Sequence, residues 1–103
     1  MKAKSPTPKS LPYVIIRSTN AGCFYGQLVS RDRDEVVLNQ CRRLWYWAGA
    51  ASLSQLATEG TSRPKDCKFP PATQNHTVLG VIEVIPVTDT ARDSIEGVSP
   101  WRF

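Results

Sequence analysis

Between Cys41 and Ala57 the chain reads CRRLWYWAGAASLSQLA. Arginine forks match phosphate oxygens, and indole faces stack on planar rings. If CRRLWYW is a strand, its side chains alternate. Cys41, Arg43, Trp45 and Trp47 then lie on one side, and Arg42, Leu44 and Tyr46 on the other. One face packs inward and the other presents arginine beside tryptophan. Gly49, Ala50, Ala51 and Ser52 then open a helix with small side chains. Such a start lets a ligand approach backbone N–H groups whose partial positive charge favours anions. Ser52 and Ser54 add hydroxyls. Arg42 or Arg43 on a phosphate, Trp45 or Trp47 on a ring, and Ala50, Ala51, Ser52 and Ser54 as donors suit a phosphorylated, ring-bearing ligand such as a nucleotide. The same residues also suit a packed core and subunit interface, because tryptophans bury large areas and small residues allow close approach. The two uses coexist where a pocket forms between subunits.

The elements that must position these residues follow from pattern. PYVIIRS (12–18) is β-branched and aromatic and reads as a strand, TNAG (19–22) as a turn, and CFYGQLVS (23–30) as a second strand. In that second strand Phe24 and Leu28 share one face and Tyr25, Gln27 and Val29 the other. RDRDE (31–35) suits an exposed hairpin tip, and VVLNQ (36–40) the returning strand, with Val36 and Leu38 inward. CRRLWYW (41–47) is the next strand, or the continuation of that one after a bend. In GAASLSQLATEG, Ala50, Leu53, Leu56 and Ala57 recur at helical spacing, Ser52 and Gln55 fit a capping box, and Gly60 is a natural stop. Residues 61–75, with Pro64, Pro70 and Pro71, form a long irregular connection. HTVLGVIEVIPV (76–87) is apolar on both faces and reads as one central strand. Its Glu83 is expected to face solvent or meet an arginine, a ligand role being the alternative. Thr88 caps a short helix over 89–97 that buries Ala91 and Ile95. Trp101 is expected to dock on its own core or on a neighbouring subunit. The expected fold is α+β: a small antiparallel sheet, or an SH3- or Tudor-like open barrel, with two attached helices.

Composition limits the function classes. The 103 residues fit one domain, with 41 % hydrophobic and 21 % charged residues. A disordered basic tail over 1–10 and a single α+β domain over 11–103 are expected. The formal charge is +4, but Lys2, Lys4 and Lys9 lie in the tail. The remaining ten basic residues face nine acidic ones, so the body is nearly neutral and duplex nucleic acid is not an expected partner. No apolar run approaches a membrane span, and no apolar stretch follows the basic start as in a secretory signal. Cys23, Cys41 and Cys67 are widely spaced and His76 is the sole histidine. Reduced thiols are expected, with no metal site and no cofactor. No glycine-rich phosphate loop or nucleophile elbow is present, and an enzyme is not expected.

The segments AGCFYGQLVSRDRDEVVL, RRLWYWAGAASLSQLA, RPKDCKFP and IEVIPVTDTARDSIEGVSPW together resemble a family of small phage and prophage proteins known only as a domain of unknown function. The resemblance covers roughly residues 13–101. It implies a phage origin, and with it the cytoplasm of an infected bacterial host. At the level of size and β-plus-helix layout, the chain also resembles phage anti-defence "sponge" proteins. These are non-catalytic homo-oligomers that sequester cyclic oligonucleotides of CBASS systems or cyclic ADP-ribose isomers of Thoeris systems. That likeness implies a cyclic, phosphorylated nucleotide as partner and transfers no residue by position. The alternatives are an accessory module for single-stranded nucleic acid and a structural or protein-binding oligomer.

Overall fold

The β-branched run after Pro12 forms β1 (Tyr13–Ser18). A turn at Thr19–Ala21 leads to β2 (Gly22–Asp32), and β3 (Glu35–Arg43) returns from it through Arg33 and Asp34. Two helices, α1 (Leu53–Glu59) and α2 (Asp89–Glu96), flank an irregular segment with a single 3₁₀ turn at Pro64–Asp66. Between that segment and α2 run β4 (His76–Val78) and β5 (Val81–Pro86). The computed structural model describes residues 11–102, so the expectation of a disordered tail over 1–10 lies outside the described residues.

All strand pairs are antiparallel, in the order β4-β3-β2-β1-β5. The expectation of one central strand over 76–87 is corrected here. Gly80 adopts φ +70, which side-chain-bearing residues rarely take. The run breaks at Leu79–Gly80 into β4 and β5, and these form the two opposite edges of the sheet. A flat five-stranded sheet would hold its edges roughly 19 Å apart at about 4.8 Å per strand. The three Cα steps from Val78 to Val81 span at most about 11 Å. The sheet must therefore curl until its edges approach at one corner. Ser18 Oγ donates to the Leu79 carbonyl at 2.7 Å, and Thr19 N–H to that of Gly80 at 3.0 Å. Val81 N–H donates to the Asp34 carbonyl at 2.9 Å. β4 and β5 do not pair with each other, so the sheet stays open and does not close into a barrel.

Curling gives the sheet two buried faces. The concave side holds Val14, Ile16, Phe24, Val36, Leu38, Cys41 and Val78. The convex side holds Ile15 and Tyr25, covered by Leu56 and Ala57 of α1 and Ile95 of α2, with Phe69 from the irregular segment. Neighbouring residues of β1 thus serve opposite cores, which explains why that strand is apolar without alternation. Both helix caps form as their sequences predict. Ser52 Oγ accepts from Gln55 N–H, and Thr88 Oγ1 accepts from Ala91 N–H, each at 3.1 Å. Glu83 meets Arg17 at 3.1 Å in an exposed ion pair. No helix among the described residues is long and apolar enough to cross a membrane.

Candidate functional site

The expectation of a strand over 41–47 holds only in part: Cys41, Arg42 and Arg43 continue β3 beyond a bulge, and Gln40 sits there at φ +50. After Arg43 the chain leaves the sheet, and Tyr46 alone makes a bridge, to Lys68. The alternation is therefore broken before it reaches the tryptophans, and the two arginines separate. Arg42 points into the convex core and is 7 % exposed. Its Nε donates to the Pro70 carbonyl at 3.2 Å, Nη1 to Ile95 at 2.9 Å and Nη2 to Phe69 at 2.8 Å. One of those carbonyls lies in the last turn of α2, where helix carbonyls lack helical partners. Burial lowers the Arg42 pKa from its ordinary value, with Glu96 and Tyr25 opposing. Glu96 also accepts from the Tyr25 hydroxyl at 2.8 Å. Arg42 is thus a tie between sheet, helix and connection, and it is not presented to solvent with the tryptophans.

The start of α1 is in part capped by its own side chains. Ser52 Oγ accepts from Gln55 N–H, and the Gln55 side-chain oxygen takes the N–H of Ala51, one residue before Ser52, at 2.8 Å. Ala50 and Trp47 are half-buried and pack on the convex core, whereas Ser54 faces solvent. Gly49 is small for packing reasons. It sits at φ +80, and a Cβ there would lie 2.6 Å from Arg63 N and Thr61 Oγ1. The small residues fit the 61–63 backbone against 48–49, tied by Ser62 N–H to the Gly49 carbonyl.

One part of the expected constellation stays on the surface. Trp45 is 63 % exposed. Its ring stacks on Trp101 with centroids 6.3 Å apart and planes 9° from parallel. Trp101 is fixed by its N–H to the Phe69 carbonyl at 2.9 Å, and the Lys68 ammonium lies 5.6 Å over its ring. The C-terminal tryptophan therefore docks on its own chain. Beside this pair runs an open groove of about 490 Å3, lined by Pro64, Lys65, Cys67, Gly97, Pro100 and Trp101 among others. Among the described residues, neither Lys65 nor Lys68 makes an ion pair. Tyr46 adds a second exposed ring next to Trp45. The result is a shallow aromatic and cationic surface suited to a planar, anionic ligand. Lys65 and Lys68 lay outside the expected set. The apolar–charged–apolar order of Cys67, Lys68 and Phe69 was the available signal, because it sends the lysine outward between two buried anchors.

Arg43 faces the concave side, its guanidinium carbon 4.5 Å from the Phe24 ring centroid. It lines a separate cavity together with His76. Cys23, Cys41 and Cys67 are all unpaired thiols, and burial pushes that of Cys41 up to about 11. No group of three or more potential metal ligands occurs among the described residues.

No curated protein and no solved structure matches the chain. A family model described as a domain of unknown function, DUF6948, matches residues 11–95, from before β1 to the last turn of α2. The match takes in both helix caps, the Arg42 tie and Trp45, and the chain belongs to that DUF6948 family.

Proposed function

We propose that this protein binds a phosphorylated, ring-bearing small molecule without transforming it, and that it sequesters a cyclic nucleotide-type signal of bacterial antiphage immunity. The observation that carries the binding surface is the Trp45–Trp101 stack, exposed at Trp45, with Lys68 over Trp101, which also lines the groove. Trp45 offers a face to a base, and Lys65 and Lys68 offer charge to phosphates. Arg42 has no part in ligand contact, since it is buried and three of its five N–H donors go to backbone carbonyls. The resemblance to small phage proteins and to nucleotide sponges supports the immune setting and the host cytoplasm as its place of action.

Sequestration at nanomolar affinity requires about 12 kcal/mol. Stacking on an aromatic contributes about 1–3 kcal/mol per base, and two exposed lysines add little in water. A single open groove therefore falls short, and a second copy of the chain closing over it is part of the proposal. Tryptophan fluorescence tests it: a stacking ligand quenches Trp45 and Trp101, and light scattering shows a dimer or higher species. Recovery of unaltered ligand after heat denaturation separates a sponge from a hydrolase.

Paired exposed aromatics beside lysines also fit single-stranded nucleic acid. That reading predicts a steep loss of affinity with salt, and the near-neutral body weighs against it.

A further inference from the structure

A second cavity lies on the concave side of the sheet, at the corner where β4 passes into β5. Its volume is about 340 Å3, and Asn20, Ala21, Phe24, Arg43, His76 and Thr77 contribute to its lining. Arg43 and His76 flank the same buried ring. The Arg43 guanidinium carbon is 4.5 Å from the Phe24 centroid, and the His76 ring centroid is 5.3 Å from it. Arg43 Nη1 donates to the Ala21 carbonyl at 2.8 Å, and His76 Nδ1 lies 2.7 Å from Thr73 Oγ1. These contacts hold both groups by one edge. Among the described residues, no carboxylate pairs with Arg43, and no partner takes its Nε or Nη2 or the Nε2 of His76. A half-buried guanidinium with unspent donors and no counter-charge, against the same ring as an imidazole, is an arrangement for an anion.

We propose that this cavity is a second ligand site, separate from the tryptophan groove, that takes the oxyanion group of a small molecule. Arg43 supplies the fork, His76 Nε2 a second contact, and Asn20 a polar group at the rim. The shared chemistry is a phosphate or a carboxylate, and the cavity volume limits the ligand to a compact molecule. The two cavities share no lining residue, so the inference does not rest on the proposed function.

The test is NMR titration of the full chain with sodium phosphate and, separately, sodium acetate. Sodium chloride at matched ionic strength is the control, and the His76 ring and Arg43 Nε–H signals are followed. One oxyanion is expected to give saturable shifts that chloride does not. A response to phosphate alone assigns a phosphoester, and a response to acetate alone a carboxylate. Arg43→Lys keeps the charge, loses the fork, and is expected to weaken binding at least fivefold. The exposed Asn20→Ala variant, which leaves the packed ring alone, is expected to weaken it about twofold, and Trp45→Ala to leave it unchanged. Shifts that track ionic strength equally in chloride overturn the proposal. So does saturation unchanged in both Arg43→Lys and Asn20→Ala.

Discussion

Arg42 and Arg43 are adjacent in sequence and opposite in role, because a strand sends neighbours to opposite faces of a sheet that is buried on both. Arg42→Met should leave the Pro70 carbonyl without its donor, while those of Phe69 and Ile95 keep the Trp101 and Val98 N–H groups. An unsatisfied buried group costs about 1–3 kcal/mol, and a loss of that size is expected in urea unfolding. In the folded fraction, ligand affinity should be unchanged. Cys41 gives a pH prediction. Burial raises its pKa from about 9 to about 11. Its contribution is fully present below pH 9 and is lost as pH rises from about 9 to about 11, where only the unfolded chain ionises. Burial also raises Cys23 and Tyr25, so all three act in the same direction. Stability followed by urea midpoint should fall by roughly 2 kcal/mol across that window from Cys41 alone, and Cys41→Ala should flatten the decline.

At the scale of elements, local signals were legible and long-range ones were not. Both helices announced themselves through Ser52 with Gln55 and Thr88 with Ala91, ahead of Gly60 and Gly97 stops. Ser52→Ala and Thr88→Ala should each cost about 1 kcal/mol by thermal unfolding. The Thr88 change is expected to cost more, since its hydroxyl also donates to the Thr58 carbonyl at 2.6 Å and ties the helices together. The β2–β3 hairpin was legible from its charged tip and the inward Val36 and Leu38. The division of residues 76–87 was not. A doubly apolar run reads as one central strand, yet here it is two edge strands folded into a curl, and pairing partners far away in the sequence, from Leu38–His76 to Val14–Pro86, decide that. The site suffered most from this. Extending β3 through Trp47 put Arg43 beside the tryptophans, whereas the bulge at Gln40 and departure from the sheet after Arg43 part them. Trp101 docking on Trp45 depends on the segment around Phe69 crossing the molecule, for which the sequence carries no periodic signal.

At the scale of the whole molecule, the curled sheet keeps its two buried faces for stability and leaves its chemistry at the periphery. The tryptophan groove lies where the irregular segment meets the C-terminal residues, and the oxyanion cavity lies where the sheet edges meet. A protein with a nearly neutral body should show a shallow salt dependence for a compact nucleotide ligand and a steep one for a single strand. Calorimetry of the intact chain against cyclic dinucleotides, cyclic trinucleotides and cyclic ADP-ribose isomers, repeated with Trp45→Ala, tests the binding surface most directly. The expected result is nanomolar binding of one class by the unmodified chain, with affinity at least tenfold weaker in Trp45→Ala and stability lowered by only about 0.5–1.5 kcal/mol for the lost stack. No heat from any of these ligands, or equal affinity in the two proteins, contradicts it.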